Sequence, residues 1–377
     1  MPRVAPVLGV AVATMLWLAS VASAGVTNPN LSVIGQPFTR WTDQPGDPAG
    51  QRAVFDVGET EFVYDDYLNP YAKGYFTVSL TPGEIDLEEG YFTLLRGLPL
   101  GLTLKGGKYR VGFGKLNPTH PHALPFSERF GVMTYLPGTE SYNETGADLS
   151  ARLPSPGDWS FTASADVVQG NSFRLTRIDS GAPNDPLLSG DDRAAESRPA
   201  LVGRLAAFGQ IGDRSGFELG LSATDGTNNV AAAAHTTVFG VDGKLKLWTS
   251  ANAYVLVQGE LLHLEREDAA WDGASSAYTH ATAKKTGGYL FADYNFKLRY
   301  NAGASYERFG DPFVDATNQA VGAYAGLALL EETTAFRLDF VRTMPGTLAG
   351  ASVSPTDVNT VTLRVIFSMG PHKAHQF

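Results

Sequence analysis

The chain of 377 residues contains no cysteine. That excludes a disulfide-stapled miniprotein, a thiolate-ligated zinc or iron–sulfur centre, and thiol chemistry. Charge is sparse as well: 18% of residues are Asp, Glu, Lys or Arg, with a formal balance of −10. An acidic chain of this kind lacks the electrostatic footprint of a nucleic-acid binder. Beyond residue 25 no apolar run approaches the ~20 residues that a membrane helix needs. Also missing are a Gly-x-Ser-x-Gly elbow, a His-Glu-x-x-His pair and a phosphate-cradling glycine loop, so neither an enzyme nor a bound cofactor is expected. The apolar share, 43%, is too high for a disordered chain.

Residues 1–24 read as an address. Arg3 precedes an apolar stretch from Val7 to Leu18, and Ala22-Ser23-Ala24 is the small-x-small pattern of a signal-peptidase site. Residues 25–377 are then one mature unit. An extracytoplasmic chain without a spanning helix either stays soluble or crosses a membrane as a barrel, where every backbone group is paired.

The mature chain alternates with period two. Leu149, Ala151 and Leu153 are interleaved with Asp148, Ser150 and Arg152; Phe217, Leu219 and Leu221 with Glu218 and Ser222; Phe336, Leu338 and Phe340 with Arg337 and Asp339. The pattern gives about sixteen strands between residues 31 and 369, among them 101–114, 252–266, 284–296 and 297–308. Several are long enough to cross hydrocarbon at a tilt. Connections sort by parity. Even ones are short turns, and odd ones are mostly long, near 42–57, 115–145, 170–198, 267–283 and 343–358. An up-and-down transmembrane antiparallel β-barrel explains that asymmetry, whereas a soluble sandwich has no reason to sort its loops.

In such a barrel the apolar rows face lipid. Trp159, Trp248, Tyr294, Tyr300 and Tyr306 are girdle candidates. The polar rows line the pore: Glu59, Glu61, Asp65, Lys73, Asp86, Glu88, Lys105, Lys108, Arg110, Lys297, Arg299, Arg337 and Asp339. Acidic and basic rows on neighbouring strands suggest cross-strand ion pairs. Alternation slips at Gly106-Gly107, and a β-bulge there would return Tyr109, Val111 and Phe113 to the lipid face.

The leader, the alternating strands, the parity-sorted loops and the terminal Phe377 together resemble a Gram-negative outer-membrane β-barrel of porin type. The strings Asn28-Pro29-Asn30-Leu31-Ser32-Val33-Ile34-Gly35, Lys115 to Phe126 and Gly370 to His375 are similar to porin-like proteins labelled zinc-regulated outer-membrane receptors, which have some likeness to phosphate-selective porins. The resemblance implies an outer-membrane location, outer-membrane lipid around the strands, and recognition of the last strand and Phe377 by the barrel-assembly machinery.

Thr119-His120-Pro121-His122 opens the longest external loop. Two imidazoles on an extended chain could share a cation, with Glu128 adding an oxygen, and His372 with His375 forms a second pair. The rival reading is a segment folded inward, packed through Leu124, Pro125, Phe126 and Phe130, that narrows the pore. His263, near Glu260 and Glu265, reads as structural. The expected function is passive diffusion of small polar or charged solutes through a porin-like channel. The alternatives are a surface receptor or adhesin barrel without channel activity and a soluble secreted glycan-binding sandwich. A plugged transporter of about 22 strands needs more chain than this. No feature marks an oligomeric interface.

Overall fold

The computed structural model describes residues 29–50, 52–138, 141–174, 198–329, 334–348 and 355–370. The leader, the His372/His375 pair and Phe377 lie outside them.

The chain closes into one antiparallel barrel of sixteen strands. The first two are each in two pieces: β1 is Asn30–Gly35 with Phe38–Thr42, and β2 is Val54–Asp56 with Thr60–Asn69. There follow β3 (Ala72–Thr81), β4 (Glu84–Leu94), β5 (Thr103–Arg110), β6 (Asn143–Leu153), β7 (Trp159–Val168) and β8 (Ala200–Ile211). The second half is β9 (Ser215–Asn229), β10 (Ala234–Ser250), β11 (Ala253–Asp272), β12 (Ala277–Phe296), β13 (Tyr300–Gly310), β14 (Thr317–Ala328), β15 (Thr334–Met344) and β16 (Val358–Met369). Each strand pairs with its neighbours in sequence, and β1 closes the ring. It meets β2 at Asn30↔Asp65 and β16 at Val33↔Met369 and Thr42↔Thr360. Its break falls at Pro37, which has no N–H to give. The Pro37 carbonyl still accepts from Val365 N at 2.9 Å.

The apolar rows point outward. Leu219, Leu221, Leu261, Leu290 and Leu338 are all more than half exposed, while Ser222, Glu260 and Asp339 on the opposite face are buried. A protein in water would not leave such a belt uncovered. A hydrocarbon environment makes the same belt favourable, so the two-sheet sandwich is not what this sequence builds. Trp159, Tyr294, Tyr300 and Tyr306 are exposed on the outer surface. Trp248 packs edge-on against Tyr254, with centroids 5.1 Å apart.

Three sequence expectations change. The loop expected at 267–283 is mostly strand: β11 and β12 run for 20 residues each and pair from Ala253↔Phe296 to Asp272↔Ala277. Cross-strand contact holds this extension, with Trp271 edge-on to Tyr278 at 5.1 Å. Lys297, Leu298 and Arg299 form the β12–β13 turn and are exposed. Positive φ at Lys297 and Leu298 takes them off the wall, so Lys297 and Arg299 do not line the pore there. No register slip occurs at Gly106-Gly107; β5 pairs without interruption with β4 and β6. Tyr109, Val111 and Phe113 therefore stay inside, each at most 1% exposed.

A bulge does occur one strand earlier. Thr77 opposes Glu89 and Val78 opposes Leu87, leaving Glu88 as the extra residue of β4. Two residues facing one partner turn the same way. Glu88 and Glu89 are consequently both buried inside.

Candidate functional site: a segment pinned across the lumen

The described residues of the β5–β6 connection, 111–138 and 141–142, do not project outward. They turn into the barrel and pack against the far wall. Phe113, Leu116, Phe126, Phe130, Val132 and Tyr142 are buried with Leu262, Tyr289, Phe291 and Tyr324 of β11, β12 and β14 in one apolar cluster. Phe130 stacks on Tyr289 at 4.2 Å, and Phe126 meets Phe291 edge-on at 5.0 Å. The inward segment expected from Leu124-Pro125-Phe126 and Phe130 is therefore present.

Its neck is tied by Asn117. The Asn117 amide donates to the carbonyls of Val111 (2.8 Å) and Tyr142 (3.0 Å), and its oxygen accepts from Tyr142 N at 2.8 Å. Beyond the neck, carboxylates on four strands accept from it. Glu260 of β11 takes Lys115 N and Leu116 N at 2.9 and 2.6 Å. Glu307 of β13 takes Val132 N at 3.1 Å. Asp339 of β15 takes Ser127 N at 3.1 Å and its hydroxyl at 2.6 Å. On β2, Glu61 faces His122 Nδ1 at 3.0 Å. A crossing segment has no ladder partner for its N–H groups, and these wall carboxylates supply acceptors where water is displaced. The approach is close. A Cβ on Gly114 would overlap the Glu260 carboxylate, and one on Gly240 would overlap the Phe113 ring. Tyr135 donates to the Gly310 carbonyl at 2.7 Å; burial pushes its hydroxyl up to about 12.

The two histidines meet the opposite wall. His120 is extended before Pro121 (φ −66°, ψ 146°) and His122 lies in the following short turn, Pro121–Ala123. Their rings are 5.5 Å apart. His120 Nε2 lies 2.9 Å from Glu89, and His120 Nδ1 lies 3.3 Å from Glu61 and 3.8 Å from Glu88. Burial and the Arg110 guanidinium oppose charge on His120, but the Glu61 and Glu89 carboxylates outweigh both and raise its pKa above the ordinary 6.5. One donor atom each from Glu61, His120 and His122 falls within 4.8 Å of the others. Glu128, expected as the oxygen ligand, is not in this cluster; Glu61 takes that place.

The remaining sequence candidates fall into place around the segment. Asp65 pairs with Lys73 at 2.5 Å, Arg110 pairs with Glu88, and Arg337 donates to the His122 carbonyl at 2.9 Å. Lys105 lies over the rings of Tyr91 and Tyr109, at 5.1 and 4.9 Å. Lys108 reaches Asp86 at 3.3 Å. Lys108 and Asp86 lie with Glu59 and Glu88 on a cavity of about 330 Å³. A larger cavity of about 620 Å³, lined by Gln36, Glu59, Arg110, Pro121, Arg129 and Arg364 among others, runs between the segment and β1 to β3. Across the barrel Arg204 holds Asp242 with contacts of 2.5 and 2.9 Å. His263 is outward and half-buried, bonded to Thr286 at 2.8 Å.

Sequence reading missed Glu89, Asn117, Ser127 and Glu307 as anchors. Glu89 depends on a bulge that no residue pattern announces. Asn117, in Leu116-Asn117-Pro118, gave a local signal: a short amide before proline is a residue of necks and turns.

No family model matches the chain. An uncharacterized protein of Aquifex aeolicus (strain VF5) is 27% identical over 267 residues, 68% of this chain and 55% of that protein; the chain spans about half the length of this curated relative. Solved structures with the same fold include the anion-selective porin from Comamonas acidovorans, at 10% identity and TM-score 0.55, covering 91% of this chain and 99% of that one. The outer-membrane channel DcaP of Acinetobacter baumannii is similar at 11% identity and TM-score 0.55, covering 90% and 97%. OmpF of Salmonella typhi is similar at 10% identity and TM-score 0.54, covering 90% and 97%. The chain is porin-like: a closed, antiparallel barrel of sixteen strands.

Proposed function

We propose that this protein is an outer-membrane channel through which small polar or charged solutes diffuse passively, with residues 111–142 setting the aperture. The observation that carries the reading is the inward segment itself, held by Glu61, Glu260, Glu307 and Asp339 from four strands. A barrel that only displays surface loops has no need of a polar-walled interior crossed by an anchored strap. A permeation path does: constriction and wall charge screen solutes by size and sign. The cavities of about 620 and 330 Å³ beside the strap, lined by Glu59, Arg110, Arg129 and Arg364, supply polar surface of both signs. No group transfer or bond cleavage is required of any residue.

Reconstitution in planar bilayers tests this. Discrete conductance steps are expected, enlarged when residues 121–136 are replaced by a short Gly-Ser linker. Absence of current at any concentration of a barrel whose folding is verified by heat-modifiable mobility overturns the reading. Reversal potentials in asymmetric salt then give the preferred ion sign.

A further inference from the structure

We propose that Glu61, His120 and His122 form a three-ligand binding site for a divalent transition cation of the zinc class, which fastens the inward segment to β2 and leaves the fourth position to water. The inference stands on donor geometry and does not depend on transport.

The contact of His120 Nε2 with Glu89, 2.9 Å, places that ring proton on the Glu89 side. His120 Nδ1 lies 3.3 Å from Glu61 Oε2, and no aligned hydrogen bond joins them. Glu61 is fully buried, and its Oε2 receives no hydrogen bond; the same is true of Glu88 Oε2. Carboxylates gathered out of water are costly unless positive charge lies among them. The spacings suit a metal. Ligands at the usual zinc–nitrogen and zinc–oxygen lengths in a tetrahedron stand about 3.3 Å apart. Glu61 Oε2 stands 3.3 Å from His120 Nδ1 and Glu61 Oε1 stands 3.0 Å from His122 Nδ1, with one donor of each residue within 4.8 Å of the others.

The surroundings agree. Glu89 orients His120 from the ring's far side, the outer-sphere carboxylate that ligating histidines commonly have. Glu59, Glu61, Glu88 and Glu89 converge on two imidazoles and the Arg110 guanidinium, and a dication offsets the excess of negative charge. Two imidazoles with carboxylate oxygens favour zinc, copper or nickel over calcium or magnesium, which prefer all-oxygen shells. Access is through the 620 Å³ cavity, which Pro121 and Arg110 line, and His120 keeps 14% of its side chain exposed.

The experiment is a titration of metal-stripped, folded full-length barrel in detergent with Co²⁺, read by visible absorption, followed by Zn²⁺ competition. One Co²⁺ per chain with the intense bands of four-coordination is expected, displaced by Zn²⁺. His120→Ala, His122→Ala and Glu61→Gln each weaken binding at least tenfold, and Glu89→Gln about tenfold. The double variant His372→Ala/His375→Ala binds as wild type. Heat-modifiable mobility verifies each fold, and His120→Gln with His122→Asn replaces any alanine variant that does not close. The proposal is overturned if the folded wild type binds no Co²⁺, if the spectrum is the pale six-coordinate one, if the His120 and His122 variants bind undiminished, or if the tail variant alone abolishes binding. These outcomes are read without conductance, so they stand apart from failure of the channel reading.

Discussion

Glu260, near the middle of β11, accepts the backbone N–H of Leu116 at 2.6 Å although 144 residues separate them in sequence. The same carboxyl oxygen takes Lys115 N at 2.9 Å and the Tyr289 hydroxyl at 2.8 Å. Glu260→Ala strands three donors away from water, and the strap should lose about 3 kcal/mol of anchoring. The barrel wall stays closed, so heat-modifiable mobility is retained while single-channel records become noisier and larger. An unchanged conductance trace would show that the strap is held without it.

Asn117 closes the neck with three hydrogen bonds of 2.8, 3.0 and 2.8 Å. Replacement by alanine leaves the buried Tyr142 N–H unmet, while the Val111 and Tyr142 carbonyls keep Phe113 N (2.8 Å) and Val111 N (2.9 Å), a loss of about 1–3 kcal/mol. Limited proteolysis should then cut within 111–142 in the variant and spare the wild type.

Phe113 fills the space above Gly240, where a Cβ would come within 2.7 Å of its ring. Phe113→Ala should lower thermal stability by about 3–5 kcal/mol through the cavity left behind. Gly240→Leu should produce a comparable loss by collision. A Gly240→Leu barrel as stable as wild type would mean that Phe113 does not sit there.

Arg204 compensates the buried Asp242. Arg204→Ala leaves the carboxylate uncovered inside the barrel, and the reversal potential in asymmetric KCl should move toward cation preference. A shift toward anions, or none, contradicts the inward placement of the pair.

Asp43 clamps the seam of the ring. It accepts from Asn359 N and Asn359 Nδ2, both at 2.6 Å, and these bonds hold its pKa below the ordinary 3.8. A depressed carboxylate contributes fully above its unfolded value, and the contribution fades as pH falls through the folded one. Protease nicking of the β1–β2 connection should thus be slow in wild type at neutral pH and rise only below about pH 4. Asp43→Ala should be nicked quickly at both pH values.

The barrel was legible because alternation is a one-dimensional signal: Leu219, Leu221 and Leu338 announce an outward face by spacing alone. The inward strap was legible in part, through the apolar run at Leu124 to Phe130. Its anchors were not. Glu260 and Glu307 look like any inward polar residue until a distant N–H arrives, and such meetings depend on the curvature of the closed sheet. Tyr109, Val111 and Phe113 read as lipid-facing in the sequence because greasy residues in a membrane protein are expected outside. The strap they adjoin gives the interior its own dry core, and that reverses the rule locally. Lys297 and Arg299 continued a polar row on paper, but the turn between two long strands took both.

The extra residue at Glu88 sits in a ring without a free end. In an open sheet, a one-residue excess can slide out at a margin; in a cylinder it has nowhere to go. Removing Glu88 would therefore force neighbouring staves to slip past one another or hand Glu89 to the oily side. The paired glutamates that greet His120 are thus a built-in misfit, preserved by the geometry of a hoop.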